Sequence, residues 1–551
     1  MTADMIIVGA RVLTMDAAMP RAEAVALAGG RILAVGRDAE MLTLSGPETV
    51  VVEAGGRTLL PGFVESHMHL MGGVELQHLQ LTGVKGMAAL KAAFEGFAAA
   101  NPAAPVLMAE GVDYGILGHG VTRADLDAVF ANRPIAMRAM DHHTVWANTE
   151  CLRQAGLLQG AAMPAGHEVV MGADGLASGE LLEFEAFDAV LALAGVARMY
   201  VGIAKGLEPA GPVSAADRAV DKDHIARGMR HCAAFGCTTL VSMDGNRYTL
   251  ELLAEMEAEG RLLQRVKVPF HFKPEMELAA LERASEMAAF DGDWVRSGFV
   301  KMFMDGVVDS RTAFMTEDYP GTTERGTPLF EAQRFNEICA EIDRRGLQIA
   351  VHCVGDGAVH ATIDGYEAAG RANGFRDMRH RIEHIELIVR EDIPRLAALG
   401  ITASVQPAHA PGAMDFPLDA METVIDRTRW RDAYLWRTLR DAGARVAFAS
   451  DWPVSDVAVM RGIQAQMTRV PYEGAADERL GLMDTLYAYT AGGAWAAHME
   501  GLTGRLVPGL AADLVLIDGD IEAIAVGDLG GTGIAMTVSG GRITHRGEGF
   551  A

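Results

Sequence analysis

Short apolar runs, cut by glycine or charged turns, recur along this chain, and their spacing changes twice. Near the N-terminus they follow one another directly, over residues 5–8, 11–15, 24–27, 31–35 and 49–52, with turns such as Ala28-Gly29-Gly30 between them. That texture predicts a small sheet built of hairpins. It returns at the other end, over 513–517, 536–538 and 540–544. The two ends are therefore expected to join as one composite β-sandwich domain, residues 1–58 with 505–551. The competing expectation is two independent β-extensions.

Between the ends the pattern alternates. Apolar runs at 60–67, 237–243, 267–273, 298–304, 347–352, 380–384, 400–405 and 445–450 read as buried strands. Amphipathic stretches such as 277–290, 331–345, 357–370 and 390–399 read as helices. Strands alternating with helices predict an α/β fold, a (β/α)₈ barrel over residues 59–504 with its active site at the C-terminal strand ends. The gap after the first strand is too long for one connection, so an inserted subdomain is expected over about 71–235. It has strand-like runs of its own at 105–109 and 134–138, and insertions on that face commonly form lids or substrate walls.

Composition narrows the partners more than the fold. The 551 residues carry a net charge of −25 and no basic cluster, a surface that repels polyanions and argues against nucleic acid. Five scattered cysteines without a C-x-x-C do not suggest a disulfide framework. The start, Met1-Thr2-Ala3-Asp4-Met5, lacks the features of a signal peptide, and no apolar stretch reaches the roughly 18 residues of a membrane span. The expectation is a cytoplasmic protein with a small-molecule substrate, no membrane partner and room for a homodimer.

The candidate chemistry sits at the strand ends. The first strand closes in His67-Met68-His69, and alternation along a strand puts both imidazoles on one face, where they can grip one metal ion. Taken alone, the pair reads equally well as an ordinary polar strand end. Lys301 interrupts the apolar run Val300-Lys301-Met302-Phe303. A buried lysine must be neutral, paired or modified, and a neutral one can take up CO₂ as a carbamate. Further strands end in His352, His384 and Asp451. In a barrel all these ends converge on one mouth.

Those stretches, from Leu60-Pro61-Gly62-Phe63-Val64-Glu65-Ser66-His67-Met68-His69 through Val300–Gly306 with Ser310-Arg311-Thr312, Val351–Asp356, Arg381-Ile382-Glu383-His384 and Ala449–Val454, resemble the amidohydrolase superfamily. The closest likeness is to amidohydrolase family 3, the YtcJ-like group that includes N-substituted formamide deformylases. The resemblance implies that His67, His69 and Asp451 hold the more buried metal. It implies that Lys301, as a carbamate, bridges to a second ion held by His352 and His384. Zinc is the expected metal, with one or two ions per chain.

Asp141-His142-His143-Thr144 matches a family stretch in which His143 would reach the substrate, while His142 replaces a glycine. Gly179–Glu183 resembles another recurring stretch whose role the sequence does not define. Asp309 and Val307-Val308 depart from the family residues after the lysine. Glu383 and Arg381 are expected to support the site, with Glu383 orienting His384, Asp305 is expected to hold its loop, and Cys353 to pack away from it. Tyr114, Trp146, Met304, Phe314, Trp452 and Met414-Asp415-Phe416-Pro417 are candidate walls.

The expected activity is metal-assisted hydrolysis of a C–N bond in an amide, N-acyl or N-formyl compound, with Asp451 as general base and acid. The alternatives are a deaminase of the superfamily, or a hydrolase of cyclic amides, lactones or carbamates. Gly355 stands where the deaminases have a glutamate, which disfavours the first. A non-catalytic binding protein would be expected to have lost ligands, and none of the expected set is missing.

Overall fold

The computed structural model describes residues 2–140, 142–164, 167–308, 311–413 and 424–550. Asp141, Asp309, Ser310 and Met414-Asp415-Phe416-Pro417 lie outside the described residues. The fold is α/β, and the chain divides into two compact units, Met1–His69 with Met229–Ala551, and Leu70–Gly228.

In the first unit, two runs of parallel strands carry the centre of the molecule. Phe63–Met68, Cys237–Ser242, Arg265–Lys267 and Val295–Arg296 pair in that order. Phe270–His271, Phe299–Phe303, Gln348–Cys353, Arg381–His384, Thr402–Val405 and Arg445–Phe448 pair in that order in a second parallel sheet. The chain passes from the first sheet into the second twice, through 265–271 and 295–303. Nearly every residue of these strands is buried, as expected for parallel strands covered on both faces. The covering helices bury a single stripe. In Ala332–Arg344 it is Phe335, Ile338, Cys339 and Ile342, the spacing of one helical face.

Hydrogen bonds join the outermost strands of the two sheets, among them one from His69 N to the Trp452 carbonyl at 2.7 Å. Ser66 Oγ donates to the Phe448 carbonyl at 2.9 Å, Asp451 N to the His67 carbonyl at 3.0 Å, and Ser450 N to Glu65 Oε1 at 2.7 Å.

The two chain ends share a sheet. Its order is Arg542–Arg546, Ile534–Ser539, Leu514–Ile517, Thr58–Pro61, Arg11–Leu13 and Arg21–Ala22. The join is the antiparallel pairing of Leu514 with Pro61 and of Leu516 with Leu59. A second sheet, from Met5–Val8, Ala24–Ala28, Arg31–Gly36 and Val50–Glu53, lies wholly in the N-terminal segment. Side chains from both sheets, among them Ile7, Val25, Val12, Leu59, Leu514 and Met536, form one apolar cluster. Buried Arg265, on a strand of the first parallel sheet, pairs with Asp513 at 2.8 Å and lies over the Trp294 ring.

The run expected as one strand over 60–67 is two. Thr58–Pro61 belongs to the sheet of the chain ends and Phe63–Met68 to the parallel sheet, with Gly62 between. A Cβ on Gly62 would stand 2.2 Å from the Thr238 side chain. The switch between sheets thus depends on the missing side chain.

The unit Leu70–Gly228 has its own six-stranded mixed sheet, ordered Glu168–Met171, Ala177–Leu182, Thr144–Ala147, Ile135–Ala139, Leu107–Val112 and Leu79–Gln80. Leu90, Phe94, Leu107, Leu126, Ile135 and Trp146 belong to its core. All five cysteines are buried thiols. Among the described residues no helix is long and apolar enough to cross a membrane.

Candidate metal centre

His67 and His69 leave the end of Phe63–Met68 on the same side, and Asp451 follows the last parallel strand. His67 Nε2 and His69 Nε2 lie 3.2 and 3.1 Å from the same oxygen, Asp451 Oδ1. All three residues are buried. Among the described residues Asp451 Oδ1 and His69 Nδ1 have no hydrogen-bond partner, a costly state for buried polar atoms unless another partner takes them up. Two imidazoles and a carboxylate are a donor set for a divalent cation of intermediate softness, and the convergence of their ligating atoms within 4.8 Å fits one.

Glu383 holds this set in place. Its Oε2 lies 2.7 Å from His67 Nδ1, and Arg381 donates from Nε to Oε1 at 2.8 Å and from Nη2 to Oε2 at 3.0 Å. Burial pushes the Glu383 carboxyl up, but Arg381 and His67 together outweigh it and hold the group below the usual carboxylate range. The same contest decides Asp451, where burial is outweighed by His67 and His69.

Glu383 does not orient His384, contrary to the sequence expectation. Neighbouring strand residues point to opposite faces, so Glu383 shares its face with Arg381. His384 is instead tied through Nδ1 to Gln406 Oε1 at 2.9 Å, and its Nε2 is buried without a hydrogen bond. Burial, with help from His352 and His67, pulls the His384 imidazole well down. His384 and Asp451 hold φ of 75° and 62°. Left-handed backbone at non-glycine residues is of order 1–3 kcal/mol unfavourable each and gathers at functional sites.

The rings of His352 and His384 are 4.3 Å apart between centroids, and His352 Nε2 lies 3.0 Å from the Gly306 carbonyl. Lys301 is fully buried with its ammonium over the Phe303 ring. Burial lowers it to about 8, against Glu383 and Asp451, which raise it. Asp305 holds its loop as expected, accepting from the backbone N–H groups of Phe314, Val354 and Gly355. Cys353 packs away from the site against Thr362, 3.1 Å from its hydroxyl.

Sequence reading missed His409. With His384 and Asp451 it forms another triad of ligating atoms within 4.8 Å. The signal was present, because Gln406-Pro407-Ala408-His409 directly follows an apolar strand, as do the other candidates.

His143 belongs to the unit Leu70–Gly228, where its Nδ1 lies 3.0 Å from Glu183. That pairing accounts for the glutamate of Gly179–Glu183. His142 has φ of 67°, the conformation that suits the glycine it replaces. Its Nε2 is 3.3 Å from Glu75. Glu75, Glu110 and His142 also approach as a triad, yet the Arg138 guanidinium already bridges both carboxylates at 2.5 and 2.8 Å. The cation of that cluster is the arginine. Of the candidate walls, Trp146, Met304 and Trp452 are buried. Tyr114 is exposed, with its hydroxyl 2.7 Å from Thr144.

An α/β fold with a histidine- and carboxylate-lined group at parallel strand ends defines the class of metallohydrolase-like proteins. The chain belongs to the amidohydrolase family, whose model matches residues 50–545. It is 28% identical to the putative amidohydrolase YtcJ of Bacillus subtilis, over 98% of both chains. It is 26% identical to the protein LONG AFTER FAR-RED 3 of Arabidopsis thaliana, over 94% of this chain and 87% of that one. It is 24% identical to the N-substituted formamide deformylase of Arthrobacter pascens, over 96% and 95%. An uncharacterized metal-dependent hydrolase from Pyrococcus horikoshii has the same fold, with a TM-score of 0.74 at 22% identity over 95% of this chain and 99% of that one.

Proposed function

We propose that this protein is a metal-dependent hydrolase of C–N bonds, acting on an N-acyl or N-formyl compound. The observation that carries the reading is the meeting of His67, His69 and Asp451 around one buried point. The N-substituted formamide deformylase among the relatives supports the choice of bond.

The architecture proposed with it is a (β/α)₈ barrel. Eight parallel segments would close through the bonds between 63–68 and 445–451. The sheets of the chain ends would form a β-sandwich domain beside it, and residues of about 70–228 an insertion after the first strand. The site would then lie at the C-terminal strand ends.

In this reading His67, His69 and Asp451 hold one divalent cation, most suitably zinc. Lys301, as a carbamate, with His352 and His384 would hold a second. A cation there lowers the pKa of bound water toward neutrality and polarises a carbonyl. Asp451 accepts the proton of the attacking water and returns it to the leaving nitrogen, a role that needs a carboxylate within hydrogen-bond reach of both atoms. Glu383 fixes the tautomer of His67 by accepting a hydrogen bond from its Nδ1–H, so that Nε2 is the nitrogen that would ligate. His143, by its place in the family-like stretch, is assigned to the substrate carbonyl, and Glu183 holds its Nδ1.

The test is amine release from N-formyl, N-acetyl, N-aroyl and carbamate substrates by zinc-loaded protein. Asp451→Asn should lower turnover by about two orders of magnitude or more. Near-normal turnover in that variant would remove Asp451 from the mechanism. Ammonia release from an aminated heterocycle instead would make the protein a deaminase.

A further inference from the structure

We propose that His409 is a cation ligand at the second metal position, which it forms with His384 and Asp451 in place of His352, beside that of His67, His69 and Asp451. The inference rests on the hydrolase reading and adds to it a residue outside the ligand set that the sequence resemblance implies.

The position is built by one short stretch of chain. After Thr402–Val405 the backbone makes a single tight turn, Pro407–His409, in which His409 N donates to the Gln406 carbonyl at 3.0 Å. Gln406 at the start of the turn holds His384 Nδ1 at 2.9 Å. That bond commits Nδ1 to the amide, so Nε2 is the nitrogen His384 has left to offer. This Nε2 is buried and has no hydrogen-bond partner among the described residues. At the end of the turn the His409 ring lies parallel to that of His384, with 4° between their planes and 6.4 Å between centroids.

Asp451 completes the set. Its Oδ1 faces His67 and His69 at 3.2 and 3.1 Å, while Oδ2 lies toward His384, 3.9 Å from Nδ1. One ligating atom from each of His384, His409 and Asp451 lies within 4.8 Å of the others, and a carboxylate with one oxygen toward His67 and His69 and the other toward His384 can serve two cations at once. His352, by contrast, takes part in no ligand triad among the described residues, and its Nε2 is engaged by the Gly306 carbonyl at 3.0 Å. Two neutral nitrogens and one oxygen suit zinc or cobalt better than magnesium or calcium.

The test is a cobalt(II) titration of chelator-stripped full-length protein, read by visible absorption and by bound metal per chain. Wild type should fill two positions. His409→Ala should keep the tighter one and bind the weaker at least about tenfold less well. His409→Asp, which supplies an oxygen donor in place of the ring nitrogen, should recover part of that loss. Circular dichroism and melting of the stripped proteins separate a lost ligand from a lost fold. Should the alanine variant not fold, His409→Gln gives the same readout with the space filled. Uptake by His409→Ala that matches wild type would overturn the proposal and leave the hydrolase reading standing, with His409 then a contact to substrate. A wild type that binds no cobalt would sink the hydrolase reading itself.

Discussion

Arg381 and Glu383 stand two residues apart on one strand, share a face and are both fully buried. Each would be costly alone, and together with His67 they form a chain of charge that ends at the candidate cation. Lys267 meets burial differently. It donates to the Ala497 carbonyl at 2.9 Å, and burial, reinforced by Arg381 and Arg296, lowers it to about 7. The folded pKa lies below the unfolded value of about 10.4, so the unfolded chain binds more protons between these two values. Stability contributed by this group should therefore rise as pH climbs through that window, and its penalty is complete below about pH 7. In urea unfolding, wild type should gain on Lys267→Met by roughly 2 kcal/mol or more between pH 7 and 9.5. A difference that stays flat across that range would show that Lys267 remains charged in the folded protein.

At the scale of elements, alternation along strands was enough to place His67, His69, His352, His384 and Asp451 at parallel strand ends. The direction of a side chain was legible, but its partner was not. Periodicity puts Glu383 on a face without saying that His67, some three hundred residues earlier, waits there. His409 escaped because it ends a turn rather than a strand. Gly62 escaped for a related reason: an unbroken apolar run looks like one strand, and only the closeness of Thr238 divides it. Gly62→Ala should cost about 1–3 kcal/mol by overpacking, read as a lower melting temperature. Thr238→Gly in the same chain should restore much of it. An alanine at 62 that leaves melting unchanged would show that the strands can part there freely.

At the scale of the molecule, the similar β-texture of both ends was legible, and strands from both ends share one sheet, since short strands with glycine turns need partners to bury a face. The length of the stretch between the first two parallel strands was legible, while the six-stranded sheet of Leu70–Gly228 was only hinted at by two apolar runs. Removing residues 513–551 takes away three strands of the shared sheet and leaves Arg265 buried without its carboxylate. Such a chain should aggregate or lose cooperative unfolding, measured by soluble yield and light scattering. A monomeric, cooperatively melting truncation would mean that the chain ends are dispensable.

The strand that ends at Pro61 sits between Arg11–Leu13 and another strand, Leu514–Ile517, made long after it. At about 5–20 residues per second, the ribosome needs on the order of half a minute or longer to deliver the second after the first. Until then the polypeptide leading into His67 and His69 lacks one of its two neighbours. A nascent chain that needs both neighbours to set those histidines would take up metal late, only after Leu514–Ile517 has emerged.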